Sequence, residues 1–181
     1  MTSTHGRDSP PEREDRVSRT SRVTETRRVE APAAAVFALL SDPDRHPEFD
    51  GSGMLMDLVT PGLLTSTGDV FTMRMHNDFL GDYTIENHVI EFEPERRIVW
   101  EPVLNDTSRE EAKPNIGQNL HHRWGYELVT VGRAATVITE FFDCSGSSDE
   151  WQEDLQEDMH SWIPAAMATT LEKIENQLKK D

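Results

Sequence analysis

Cysteine is nearly missing from this sequence, and its scarcity removes several chemistries. Cys144 stands alone, so no intrachain disulfide can form and a cysteine-based metal site is excluded. Late in a predicted strand, with no neighbour to activate it, Cys144 reads as a small buried hydrophobe. Long apolar runs are absent too. No stretch approaches the roughly 18–20 residues that a membrane-spanning helix needs, so no integral membrane association is expected. Residues 1–5 lack the apolar core of a signal peptide, which makes the cytoplasm the expected location. Basic residues are few, with 18 Lys and Arg against 34 Asp and Glu and a formal net charge of −16. A surface this negative repels phosphate backbones and anionic headgroups, so nucleic acid is not expected as a partner. The sequence has no Gly-rich phosphate loop, no HExxH and no G-x-S-x-G. His160 with Glu157 or Asp158 reads as a solvated acidic helix face. Neither a metal nor a cofactor is expected.

The residues that are present describe one domain. Residues 1–22 hold almost no aliphatic and no aromatic side chain, so they cannot offset ordering entropy by burial and are expected to be a disordered tail. Residues 23–181 are the predicted domain. At the far end, Ile163, Met167, Thr170, Leu171, Ile174 and Leu178 fall on one stripe at helical spacing, the pattern of a helix laid against a core. Pro164 interrupts the longer pattern from residue 149, which predicts a kink or a fresh helix from Trp162. Ser147 and Glu150 have capping-box spacing. Between the termini the period is two. Strands are predicted at 23–29, 54–60, 70–76, 83–92, about 98–104, 121–131 and 136–143. Two short helices fall between the first and second strands, the first opened by Pro32, and a polar loop spans 105–119. Short turns between strands imply an antiparallel sheet. The predicted fold is α+β: a curved antiparallel sheet of about seven strands around one long C-terminal helix.

This order of elements resembles the polyketide cyclase/dehydrase and lipid-transport family of the START-like (SRPBCC) helix-grip superfamily. The strings that carry the resemblance are SDPDRHPEFDGSG at 41–53, GDVFTMRMHN at 68–77, YTIENHVIEFEPERRIVW at 83–100, HRWGYEL at 122–128 and WIPAAMATTLEKIENQL at 162–178. They are scaffold motifs covering roughly residues 23–178, and they define no universal catalytic set. The family's usual Gly-Gly-Thr hairpin before the last strand reads Gly132-Arg133-Ala134-Ala135-Thr136 here, which alters a turn. The resemblance implies a cavity between sheet and long helix, suited to a hydrophobic or amphipathic small molecule such as a lipid, a polyketide-like aromatic or an isoprenoid.

On that fold, strand parity places candidate ligand contacts on the concave face: Phe71, Met73 and Met75, then Ile85, Asn87 and Val89, then Trp100, Trp124 and Tyr126. Trp162, Ala166 and Met167 face them from the helix. Flexible Met side chains suit an adaptable pocket, and the same residues would equally fill a core. Asn87 either orients a ligand oxygen or is a satisfied core amide. By parity with Trp124, His122 is the candidate general acid/base, while His76 and His88 point outward. Glu140 is expected on the outer face; placed inside, it would be a desolvated carboxyl able to work with His122. Three functions follow. The first is binding or carriage of a hydrophobic ligand by a monomer or homodimer. The second is a cyclase or dehydratase acting on a polyketide-like substrate. The third is a protein-interaction module of the heat-shock-ATPase-activator type, built on the acidic residues 149–158.

Overall fold

The alternating segments pair into one antiparallel sheet. In the computed structural model, which describes residues 19–180, the strands are β1 (Arg22–Val29), β2 (Leu55–Leu58), β3 (Val70–Asn77), β4 (Gly81–Glu93), β5 (Arg97–Thr107), β6 (Arg123–Val131) and β7 (Ala135–Asp143). Their order across the sheet is β1-β7-β6-β5-β4-β3-β2, so the first strand lies beside the last. Helices α1 (Ala33–Leu40) and α2 (His46–Phe49) fall between β1 and β2. Helices α3 (Asp149–Asp154), α4 (Gln156–His160) and α5 (Trp162–Leu178) follow β7. The α+β helix-grip architecture is thus the one predicted.

The long helix starts afresh at Trp162, after a break at Ser161 (φ −124°, ψ −93°). Pro164 therefore sits in the first turn of α5, where its missing N–H has no partner to lose. Ile163, Met167, Thr170, Leu171 and Ile174 form the buried stripe of α5. The cap of α3 is Ser148, whose hydroxyl accepts from the Trp151 N–H. Ser147, the predicted cap, instead donates to the Leu120 carbonyl. Of the predicted tail, residues 1–18 lie outside the described residues. Arg22 already belongs to β1, Thr20 is hydrogen-bonded to Gln156 of α4, and the Ser21 carbonyl accepts from the Cys144 N–H.

Two close approaches depend on glycine. The turn after α2 lies against α5: Gly51 N–H donates to Thr170 Oγ1 (2.9 Å) and Lys173 Nζ to the Asp50 carbonyl (2.6 Å). A Cβ on Gly51 would lie 2.0 Å from the Ala166 carbonyl oxygen. On the convex face, the fully buried Phe141 ring lies over Gly125, where a Cβ would meet Phe141 Cζ at 2.7 Å. Phe141 is covered from outside by the guanidinium groups of Arg22 and Arg97, 4.1 and 5.1 Å from its ring centroid. Gly125→Ala is expected to cost on the order of 1–3 kcal/mol through overpacking. A urea midpoint equal to that of the wild type would show that the ring yields freely.

The sheet is not uniformly paired. β5 and β6 are in register only from Arg97↔Glu127 to Trp100↔Trp124; beyond them a lone bridge joins Val103 to Asn119. The sheet opens past Trp100, and residues 108–122 run across the gap. β5 also extends to Thr107, so the predicted 105–119 loop begins later and contains a helical turn at Glu110–Asn115. Two apolar clusters result. One joins α1, the C-terminal half of α5 and strand residues such as Val89, Ile98 and Ile138. The other gathers Phe142, Cys144, Met159, Ile163 and Met167.

Candidate functional site

Between these clusters the concave face and α5 enclose a cavity of about 460 Å³. Strand pairing lays its wall down in rows: Met73–Ile85–Leu104, Phe71–Asn87–Pro102, Trp100–Trp124 and Tyr126–Glu140. The helix contributes Trp162, Ala166, Met167 and Thr170. Of the predicted contacts, Phe71, Met73, Met75, Ile85, Asn87, Trp100, Trp124, Tyr126, Trp162, Ala166, Met167 and the candidate base His122 all line this space. Val89 does not. It pairs with Trp100 on the inner face but packs into the core cluster with α1, which fills the sheet below that row. The β3–β4 hairpin forms part of the mouth, where the lining residues Phe79 and Trp162 are exposed, at 79% and 37%.

Glu140 is the main correction. It is buried on the inner face, not solvated on the outer one, and it lines the cavity. Its Oε1 accepts the Tyr126 hydroxyl at 3.1 Å, and its Oε2, shut off from solvent, has no hydrogen-bond partner. Burial is the main cause that pushes the Glu140 carboxyl up to about 8, partly opposed by the Tyr126 bond. Burial likewise holds the Tyr126 hydroxyl well above its ordinary value, with the neighbouring Glu140 adding to it. Sequence parity could not resolve this strand, because both of its faces carry a phenylalanine.

His46 was also missed. It is buried against Phe71 and stacked on Trp100, with ring centroids 5.5 and 5.8 Å away. Its Nε2–H donates to the Leu40 carbonyl at 2.9 Å, which leaves Nδ1 as an acceptor. Desolvation lowers its pKa and keeps the ring neutral. Asp50, at the cavity wall, spends its carboxylate on Ser52 N, Ser52 Oγ and Leu55 N at 2.7–3.0 Å. Asn87 Nδ2 reaches the Phe71 carbonyl at 3.4 Å. Tyr83 accepts from Asn77, and burial pushes its hydroxyl up to about 12.

His122 lies just before β6, after His121 takes a left-handed conformation (φ 56°). Its ring packs on Trp151 (4.6 Å) and Phe142 (5.7 Å), and its buried Nδ1 has no partner. Desolvation lowers its pKa to about 4. The imidazole is therefore neutral across the physiological range, a hydrogen-bond acceptor and a weaker base than a solvated histidine. Its ring shifts in NMR should not titrate between pH 5.5 and 8; a midpoint near 6.5 would place the ring in water. As predicted, His76 and His88 face outward, beside Asp82 and Glu86 respectively. Among the described residues no group of three or more His, Cys, Asp or Glu is placed to hold a metal ion.

A sequence profile for polyketide cyclase / dehydrase and lipid transport matches residues 20–179. The chain belongs to this family. Over 122 residues it is 30% identical to Rv0088, an uncharacterized protein of Mycobacterium tuberculosis, covering 67% of this chain and 47% of that protein. The chain thus spans about half the length of the curated relatives it matches. Among solved structures, protein Ms6760 of Mycobacterium smegmatis superposes with a TM-score of 0.62 at 17% identity, covering 89% of this chain and 92% of that one. The Zhui aromatase/cyclase of Streptomyces sp. R1128 does so at 0.57 and 18% identity, covering 88% and 93%. At these identities the likeness establishes the fold, and the family's sheet-and-helix frame is the one described above. Among the described residues no helix is long and apolar enough to cross a membrane.

Proposed function

We propose that this protein binds a hydrophobic or amphipathic small molecule in the cavity between the sheet and α5. The observation that carries the reading is the wall itself. A space of about 460 Å³ is lined mainly by Met, Phe, Trp and aliphatic side chains, with a few buried polar groups whose bonding capacity is unspent. That combination is the usual form of a small-molecule site, where apolar area supplies affinity and sparse polar groups fix orientation. A packed core does not retain such a volume. Native mass spectrometry of the purified protein, followed by extraction, tests the reading. A copurified amphipathic compound near one per chain is expected. A clean apo mass, with no uptake from a mixed lipid and aromatic extract, would overturn it.

The Glu140–Tyr126 pair favours a second reading, an enzyme of the cyclase or dehydratase type. A neutral buried carboxyl beside a phenol is a proton donor held next to a bound chain, and the neutral His122 imidazole is a weak proton acceptor elsewhere in the lining. Holding a flexible substrate beside such groups accelerates intramolecular condensation or water loss. The Zhui aromatase/cyclase shares this fold. Turnover with a bell-shaped pH–rate profile separates this reading from carriage, and wild-type turnover by His122→Ala would remove His122 from it.

A further inference from the structure

We infer that the cavity, if it binds a small molecule as proposed, takes one that carries a cationic amine on an aromatic or otherwise apolar body, with the ammonium group seated at Glu140. The charge inventory of the wall leads there. Among the described residues that line the cavity there are two carboxyls, Asp50 and Glu140, and neither Lys nor Arg. The two lining imidazoles are desolvated and neutral. A carboxylate or phosphate brought inside would meet charge of its own sign and no cation to receive it.

The hydrogen-bond inventory agrees. Glu140 Oε2 has no partner, while Oε1 is occupied by Tyr126. His46 has its N–H on the Leu40 carbonyl, and Asn87 donates one amide N–H to the Phe71 carbonyl. What remains open on His46 accepts, and Asn87 keeps its carbonyl oxygen as an acceptor beside one free N–H, so a ligand that donates has partners here. Ring faces complete the seat. His46, Trp100 and Tyr126 follow one another at centroid spacings of 5.8 and 6.0 Å, and the Tyr126 hydroxyl reaches Glu140. Aromatic faces attract a desolvated cation.

Binding of the ammonium form has a proton balance that a neutral ligand lacks. In the free protein Glu140 is largely protonated at pH 6.5, since burial pushes its carboxyl up to about 8. The groups facing it do not supply a countercharge. They are Tyr126 from β6, Glu25 across the β1–β7 pair and Asp50 from the turn after α2, and the α5 residues that line the cavity, Trp162, Ala166, Met167 and Thr170, are uncharged. Arg27, two residues along β1 from Glu25, is held by Glu175 at 2.5 Å. An incoming ammonium ion therefore makes Glu140 ionise, and the carboxyl proton leaves to solvent. About one proton is released per ligand bound.

Three probes with one ring system test this: naphthylmethylamine, naphthylmethanol and naphthoic acid, titrated calorimetrically into the full chain at pH 6.5 in two buffers of different ionisation enthalpy. The amine is expected to bind roughly tenfold or more tighter than the alcohol, the size of one charge-assisted hydrogen bond. The acid should show no heat of binding, and only the amine should release a proton. In Glu140→Gln, with folding checked by its thermal transition, the amine-to-alcohol ratio should fall to about one or below and proton release should vanish. Alcohol or acid binding as tightly as amine in the wild type, or a ratio preserved in the variant, overturns the amine assignment and leaves the cavity reading standing. No uptake of any of the three by the wild type overturns both.

Discussion

From pH 6.5 to pH 8 the wild-type protein is expected to lose about 2 kcal/mol of folding stability through one side chain, and Glu140→Gln is expected to lose none of it. In the folded chain the Glu140 carboxyl is pushed up to about 8, against an ordinary value of 4.5. Over the intervening range the native state holds a proton that the unfolded state has released. Unfolding then releases a proton, so raising the pH favours the unfolded chain. The stabilising contribution is complete below 4.5 and is lost as pH rises through the folded value. Below 6.5 the buried imidazoles of His46 and His122 act the other way: they stay neutral when folded and take up protons when unfolded, so stability falls as pH drops. Cys144 and Tyr126 are also pushed up, but from ordinary values of 9.0 and 10.0, above this window. A buried Gln amide at position 140 carries its own cost, independent of pH, so the diagnostic is the slope and not the absolute value. Urea unfolding of both proteins at pH 6.5 and 8 measures it. Parallel losses would mean that Glu140 is solvated and ionised in the folded protein.

Most of the scaffold was legible because its signals are periodic. Phe71, Met73 and Met75 alternate with Val70, Thr72 and Arg74, and the structure buries or half-buries the first set. The stripe on α5 and the restart at Trp162 follow from spacing and from one proline. The site was legible only where parity and apolarity agree. On β7 they conflict. Phe141 belongs to the convex face, yet it is fully buried because two arginines cap its ring and Gly125 leaves room beneath it. With an apolar residue on each face, nothing local showed that Glu140 points inward; a carboxyl next to phenylalanines reads as the solvated one. The signal lay one strand away, where register sets Glu140 opposite Tyr126. His46 was hidden differently. It sits in a short helix without periodicity, and its role depends on the Leu40 carbonyl and the Trp100 ring, neither of which the local string DRHPEF announces. His122 was assigned by extending the strand to residue 121, but the ladder begins at Arg123 and the left-handed His121 resets the direction. The predicted contact survives with a different backbone beneath it.

These polar groups also explain why the cavity persists. Filling it with aliphatic side chains would raise stability through burial, yet the lining keeps the Glu140 carboxyl and the His122 imidazole there with atoms unpartnered. Each unsatisfied buried atom costs roughly 1–3 kcal/mol. Those costs fall on two residues that line the cavity, and a ligand that supplies the missing partners would remove them. Local destabilisation of this kind marks sites of function more often than flaws of packing.

Ala166→Trp should therefore abolish ligand uptake while leaving the protein folded. Ala166 is on the cavity side of α5, one residue before the buried Met167 and four before Thr170. An indole there enters open space, so the packing strain of a small-to-large change in a filled core is not incurred. It would occupy a substantial part of the 460 Å³ between the helix and the Trp100–Trp124 row. The backbone beside it is held, because the Ala166 carbonyl lies against Gly51 and the Thr170 hydroxyl accepts from the Gly51 N–H. Affinity for any compound identified by extraction should fall by a hundredfold or more, on the order of 3 kcal/mol, with a thermal midpoint equal to or above that of the wild type. Full-strength binding in a folded Ala166→Trp variant would move the binding site away from the space between α5 and the sheet. Lost binding together with a lowered midpoint would show that the volume is smaller in solution and that the indole is forced into packed core. The pairing of lost binding with retained stability distinguishes a ligand cavity from a loosely filled core.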